Sequence, residues 1–224
     1  MEIIGLAWLS ISGVLLSIAL IAWAIKSEKI TLVKRSLTFG AILCALDLIV
    51  ELIGTSIGKW EYLNSSYFIA GKVPVELLPI FFSLGLLLTF VHFGLSRIEW
   101  NISLNAVFAF MIIVGITVYF LRTMNSERVT LLMISVPLGL WGFAQIHNEK
   151  MRALSLLLST FVGIIDYLVE IVIISGGNYA YAGGFRPETP LTYAMVTLAI
   201  FGALEKYWGA TDTAADSENE SEIG

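Results

Sequence analysis

The stretch from Asp47 to Glu76 reads Asp47-Leu-Ile-Val-Glu51, then Gly58-Lys-Trp60-Glu-Tyr62, then Lys72-Val-Pro74-Val-Glu76. Most of it occurs twice. Asp166, Glu170, Gly177, Tyr179 and Tyr181 each stand 119 positions after Asp47, Glu51, Gly58, Trp60 and Tyr62. The third segment returns shifted by three residues and altered, as Pro190-Leu-Thr192 with Pro187-Glu188 before it. Carboxylates, a glycine and aromatics recurring in one register argue for an internal repeat.

Around this stretch the chain is strongly apolar. Hydrophobic residues make up 57% of its 224 residues and charged residues 14%, against about 45–50% and 25% in soluble domains. That composition is a membrane protein's. Apolar runs of about 18 residues or more qualify as spanning helices, and they fall at roughly 3–25, 36–57, 75–96, 103–121, 129–146, 153–175 and 189–208. Met1-Glu2 supplies no basic n-region, so the first run reads as a helix rather than a secretory signal. The lone Cys44 has no partner for an intramolecular disulfide.

The expected fold is an all-α integral membrane protein with seven transmembrane helices, arranged as two parallel three-helix repeats, helices one to three and five to seven, joined by a linker helix. The organisation reads as 1–102 for the first repeat, 103–127 for the linker, 128–208 for the second repeat and 209–224 for a tail. That tail carries Asp212, Asp216, Glu218, Glu220 and Glu222 among small polar residues and is expected to be disordered. An offset of four spans keeps the repeats in one orientation. Asp47/Glu51 and Asp166/Glu170 are then expected at equal depth, facing one central cavity.

Basic residues in the loops set the orientation. The N-terminal side holds Lys59, Lys72, Arg122, Arg128 and Arg186; the other side holds Lys26, Lys29, Lys34, Arg35, Arg97, Lys150, Arg152 and Lys206. Eight against five places the N-terminus outside and the tail in the cytoplasm. The segment from Lys26 to Arg35 would then meet anionic lipid headgroups, at roughly 1 kcal/mol per basic residue.

Asp47 and Glu51 lie four residues apart, hence on one helix face. An ionised carboxylate at mid-membrane costs at least about 2.5–3.5 kcal/mol, and helix two holds no lysine or arginine to offset it. The acids must be protonated, metal-bound, paired from another helix or open to a polar cavity; an interhelical hydrogen bond between protonated acids is the structural alternative. Trp60 and Tyr62, with Tyr67, suit interfacial anchoring, but the recurrence at Tyr179 and Tyr181 favours a site. Pro74 is placed at the first position of helix three. Glu76 then falls in the first turn, where the helix dipole stabilises a carboxylate by about 0.3–1 kcal/mol. Phe81 and Phe82 follow, and His92 reads as a packing residue.

The chain has no histidine or cysteine cluster, Walker loop, dinucleotide fingerprint or nucleophile elbow, so nucleotide, zinc and acyl-transfer chemistry lack support. No cofactor, no bound metal and no nucleic-acid partner are expected. Acids and aromatics in lipid suit proton transfer to a carbon–carbon double bond. A carboxylic acid kept neutral by an apolar site can donate a proton, and aromatic faces stabilise the resulting cation by about 0.5–2 kcal/mol each.

Trp60-x-Tyr62 followed by Pro74-x-Glu76 and Phe81-Phe82, with Asp47 upstream, resembles the integral-membrane carotenoid cyclases of the heterodimeric or fused lycopene cyclase type. Glu51-x-x-Gly54-x-x-x-Gly58 with Tyr62 and Pro74 also resembles the carotenoid hydratases of the bacterioruberin pathway. The resemblance implies a lipid-soluble isoprenoid substrate taken from the bilayer, with Glu76, Asp47, Glu51, Asp166 and Glu170 handling protons. It implies Trp60, Tyr62, Phe81, Phe82, Tyr179 and Tyr181 against the substrate. The chain departs from the cyclase Pro-x-Glu-Glu motif: Leu77 stands at the second Glu, and in Pro190-Leu-Thr192 only a local shift would let Glu188 substitute. A magnesium-dependent prenyl transferase and a small proton-coupled transporter or binding protein are the alternatives. Membrane lipids are expected partners, and a homo-oligomer is left open.

Overall fold

The computed structural model describes residues 5–63, 65, 67–96, 110–115, 130–175, 177, 179–181 and 188–209. The helices are α1 (Leu6–Lys26), α2 (Ile30–Ser56), α3 (Leu77–Ser96), α4 (110–115), α5 (Thr130–Gln145), α6 (Glu149–Ser175) and α7 (Thr189–Leu204), the last continuing into a π-helical turn, Glu205–Gly209. Four short strands, β1 (Trp60–Tyr62), β2 (Phe68–Ile69), β3 (Val73–Pro74) and β4 (Tyr179–Tyr181), form two antiparallel pairs, β1 with β4 and β2 with β3.

Among the described residues four helices are long and apolar enough to cross a membrane: Leu6–Lys26, Ile30–Ser56, Leu77–Gly94 and Glu149–Val172. Their outward faces confirm the environment. Leu15 and Ile18 on α1, Ile49 and Ile53 on α2, and Phe161 and Leu168 on α6 are all exposed, and contiguous apolar surface of this kind needs lipid around it. The protein is an integral membrane protein.

The expected seven spans in two parallel three-helix repeats are corrected by the helices themselves. α5 and α7 are 16 residues each, which at 1.5 Å per residue is about 24 Å, short of a hydrocarbon core of about 30 Å. The apolar runs at 129–146 and 189–208 lie near the length limit, and regular α-helix fills only part of each; the second ends in the π-helical turn. Of the expected linker helix, only 110–115 is described. The tail after Gly209 and Pro187 lie outside the described residues.

The described residues also show no three-plus-three repeat. The chain divides into two compact units, one of Met1–Gly94 with Leu168–Phe185, the other of Leu95–Tyr167 with Arg186–Gly224. The recurring segment around Gly177 thus belongs with α1–α3, and the recurrence is local: a helix end, a glycine turn and a strand.

In the first unit α2 and α3 run antiparallel and meet where side chains are smallest. A Cβ on Gly85 would lie 2.9 Å from the Gly40 Cα, and one on Gly40 would lie 2.7 Å from the Phe82 carbonyl oxygen. Close backbone approach through small residues is how helices associate in lipid. One apolar cluster, with Ala24, Leu32, Val33, Leu86 and Phe90 at its centre, joins α1, α2 and α3; Phe82 packs on it. A second, around Leu6, Val73 and Leu77, gathers Leu48, Leu52, Tyr62 and Phe81.

In the second unit α5 and α7 run parallel. Gly139 meets Met195, and one turn further along α5 Gly142 meets Ala199 and Gly202, one and two turns further along α7. α6 reaches the start of α7 through Gly163, whose added Cβ would lie 2.3 Å from the Pro190 carbonyl oxygen. α7 is the most enclosed helix of this unit, with Ala194, Leu198 and Phe201 among its buried residues.

Candidate functional site

Two helix ends in the first unit, those of α2 and α6, are built in the same way. α2 stops at Ser56, and Gly58 follows with φ 68°. The Gly58 N–H reaches Thr55 O at 3.3 Å, and the Lys59 N–H reaches Gly54 O at 2.9 Å, the paired bonds of a Schellman cap, for which glycine is the favoured residue because it lacks a Cβ. α6 stops at Ser175, Gly177 has φ 70° and its N–H reaches Ile174 O at 2.9 Å. Each cap leads into a three-residue strand whose last tyrosine, Tyr62 or Tyr181, returns alongside the helix just left.

The return brings a tyrosine to a carboxylate twice, eleven residues apart each time. Tyr62 Oη donates to Glu51 Oε2 at 2.9 Å, and Tyr181 Oη donates to Glu170 Oε1 at 2.5 Å. Glu51 is buried, and the same Oε2 also accepts the Trp60 indole N–H at 2.7 Å. With two donors on one oxygen, any proton that Glu51 carries is directed to Oε1.

The strands then join the two motifs. β1 pairs with β4 in the register Trp60↔Tyr181, Glu61↔Ala180, Tyr62↔Tyr179. Positions related by the 119-residue offset therefore exchange across the ladder, giving it a local two-fold axis through Glu61 and Ala180. Trp60 meets Tyr181 edge to face, with ring centroids 6.4 Å apart and planes at 77°. Trp60 can lie this close to α2 because Gly54 has no side chain: a Cβ there would sit 2.0 Å from the indole Cζ2. Burial raises the Tyr62 phenol above its ordinary range, and the nearby charges of Glu51 and Asp47 push the same way. Tyr62 therefore stays a neutral donor.

Glu76 is held differently. Ala70 and Gly71 both have positive φ, 51° and 67°, and with Lys72, whose N–H reaches Ile69 O at 3.0 Å, they make the three-residue loop of a tight hairpin, which β2 and β3 flank with Phe68↔Pro74 and Ile69↔Val73 in register. Pro74 thus lies in β3 rather than at the first position of α3, and Glu76 stands one residue before that helix rather than in its first turn. Its Oε2 accepts a hydrogen bond from Ser65 Oγ at 2.8 Å. Ser65 was not singled out by the sequence reading, and only its place in Asn64-Ser-Ser hinted at a polar turn.

Of the residues expected at the site, the first unit holds Asp47, Glu51, Trp60, Tyr62, Glu76, Phe81, Phe82, Glu170, Tyr179 and Tyr181. Phe81 packs in the cluster that includes Tyr62, whereas Phe82 packs against Gly40 and the other cluster. Tyr179 is placed by its backbone pairing with Tyr62. Asp166 and Glu188 belong to the second unit. Asp166 follows Gly163 by three residues on α6, and Glu188, fully buried, immediately precedes α7. Glu170 joins the aromatic ladder, and Asp166 stands one turn before it on α6. Among the described residues no group of three or more His, Cys, Asp or Glu side chains is placed to hold a metal ion.

No protein-family model matches this chain, and comparison with curated proteins and with solved structures finds no match to either.

Proposed function

We propose that this protein is a membrane enzyme of isoprenoid metabolism that protonates a double bond of an apolar polyene and closes an end-group ring, as the lycopene cyclase-like motifs suggest. The observation that carries the reading is the pair of carboxylate–tyrosine contacts, Glu51–Tyr62 and Glu170–Tyr181, joined by the β1–β4 ladder with Trp60 between them. A carboxylic acid gives its proton to the terminal double bond. The cation that forms is attacked by a neighbouring double bond, closing the ring, and a carboxylate removes a proton from the adjacent carbon. Atoms balance as an isomerisation, so no redox cofactor is consumed.

Each residue has a role in this scheme. Glu51 and Glu170 move the proton, and the Tyr62 and Tyr181 hydroxyls fix their orientation. The Trp60 ring offers an electron-rich face worth about 0.5–2 kcal/mol to a passing cation. Asp47, one turn before Glu51, adds negative charge that favours the cation further. Lys26, Lys29, Lys34 and Arg35, gathered where α1 gives way to α2, support an external N-terminus.

Expression in a lycopene-producing host tests the proposal. A cyclised product has the mass of its parent with altered retention and absorption; a hydrated product gains the mass of water and would move the assignment to a hydratase. Unaltered lycopene, with the protein verified in the membrane, would remove this substrate.

A further inference from the structure

Where α1 gives way to α2, the chain carries Lys26, Lys29, Lys34 and Arg35 against a single acid, Glu28. The backbone between the helices is a Schellman cap: the Glu28 N–H reaches Ile25 O at 3.0 Å, and the Lys29 N–H reaches Ala24 O at 2.8 Å. Glu28 holds the left-handed position, with φ 58°, where glycine is the usual residue because a Cβ opposes that conformation. The cap folds the chain back over the end of α1.

The fold places one ammonium between two rings. Lys29 Nζ lies 5.9 Å from the centre of the Trp23 ring on α1 and 5.3 Å from that of Phe93 on α3. Both rings are seated on the core of the first unit. Trp23 meets Phe90 edge to face with centroids 6.1 Å apart, and Phe93 packs against the buried cluster of Ala24, Leu32, Val33, Leu86 and Phe90. Lys29 is half-buried, so its ammonium is held in place rather than swinging free. Ring faces attract a cation without cancelling its charge, and among the described residues no carboxylate pairs with Lys26, Lys29 or Lys34. Lys34 follows Lys29 at about 7.5 Å along the helix axis, within the screening length of about 8 Å, and adds to the same field.

The surroundings select the anion. Trp23, the ring beneath the ammonium, is 49% exposed, and Ile25 and Ile30 in the same turn are 54% and 48% exposed. A fixed cation bordered by exposed apolar side chains matches a molecule that carries a phosphate and hydrocarbon chains together. We propose that the α1–α2 turn binds one anionic phospholipid, with its headgroup phosphate on Lys29 and its chains beside Trp23. The site stands apart from the carboxylate–tyrosine ladder and does not depend on the substrate.

Native mass spectrometry tests it. The full chain is reconstituted in vesicles of phosphatidylcholine with phosphatidylglycerol as the minor component, then extracted gently in detergent and weighed intact. One phosphatidylglycerol per chain is retained, above its share of the bilayer. Lys29→Gln lowers the retained fraction about fivefold, the factor expected on losing one basic residue near a membrane surface, and Lys29→Arg keeps most of it. Lys72→Gln, which removes the same charge from the β2–β3 loop, leaves it unchanged. Melting temperature in detergent separates a lost site from a folding defect: added phosphatidylglycerol raises it in the unmodified protein more than phosphatidylcholine does, and gives no such excess in Lys29→Gln. Retention in the unmodified protein no greater than the bilayer share, undiminished retention in Lys29→Gln, an equal loss in Lys72→Gln, or stabilisation by inorganic phosphate as large as that by phosphatidylglycerol overturns the proposal.

Discussion

Gly54→Ala offers the sharpest test of how the site is built. In an unobstructed helix interior alanine is favoured over glycine by about 1 kcal/mol, so the substitution would normally stabilise α2. Here the new methyl would lie 2.0 Å from the Trp60 Cζ2 and 2.1 Å from Cη2, against ordinary contact beginning at about 3.4 Å. The indole must swing away, and the swing takes its 2.7 Å bond to Glu51 out of reach. Loss of a hydrogen bond to a charged or strongly polar buried group costs about 1.5–3 kcal/mol. Set against the gain in helix propensity, the variant is less stable by about 0.5–2 kcal/mol, before counting the displaced packing of a buried ring. Thermal unfolding in detergent reads the sign, and the indole N–H resonance of Trp60 in nitrogen-15-labelled protein reads the bond. A variant that melts higher than the parent with that resonance unmoved would refute the placement of Trp60 against α2.

Gly58→Ala has open space around its Cβ, so only its positive φ opposes the change; the expected loss is about 1–2 kcal/mol in the same unfolding assay, with the Trp60 resonance retained. Tyr62→Phe changes the pH dependence of stability. The folded phenol is held above its ordinary value of 10.0, so between that value and its folded pKa the unfolded chain binds fewer protons than the folded one. Tyr62's contribution is fully present below about pH 10 and falls as pH rises beyond it; the phenylalanine variant shows a smaller fall in an alkaline unfolding titration. Glu170→Gln and Tyr181→Phe should each lower pigment conversion at least tenfold in the lycopene host while the protein remains in the membrane; undiminished conversion in both would exclude that pair from proton transfer. Phe82→Leu should leave conversion within a few-fold of the parent and lower the melting temperature instead, because this ring packs on Gly40 in the α2–α3 contact; a selective loss of conversion would place it at the substrate.

Much of this arrangement could be read from residue order. The long apolar runs gave α1, α2, α3 and α6 because length and composition alone determine what a bilayer accepts. Recurrence of Glu51, Gly58 and Tyr62 at Glu170, Gly177 and Tyr181 picked out the residues that share one local geometry, since a carboxylate, a left-handed glycine and a returning tyrosine form one mechanical unit. What recurrence did not reveal was its scale. A motif of about a dozen residues was extended to whole three-helix repeats, while the decisive contact was a strand ladder between the copies. Its signal was available in Trp60-Glu61-Tyr62 and Tyr179-Ala180-Tyr181, where aromatics alternate with the period of a strand, but such short runs also suit an interfacial loop. The length of α7 was less accessible, because hydropathy does not mark where an α-helix yields to a π-helical turn. The separation of Phe81 from Phe82 depends on helix rotation, which a pair of adjacent identical residues cannot disclose.

The meeting of Trp60 with Tyr181 carries a consequence for biogenesis. These partners are far apart along the chain, so a ribosome that has delivered α1 to α3 has produced only one edge of the ladder. Until Tyr179–Tyr181 emerges, that edge has no native mate, and another nascent copy could supply one. Synthesis pace and chaperone occupancy through the intervening residues would then govern how much protein matures and how much is lost to intermolecular strand pairing.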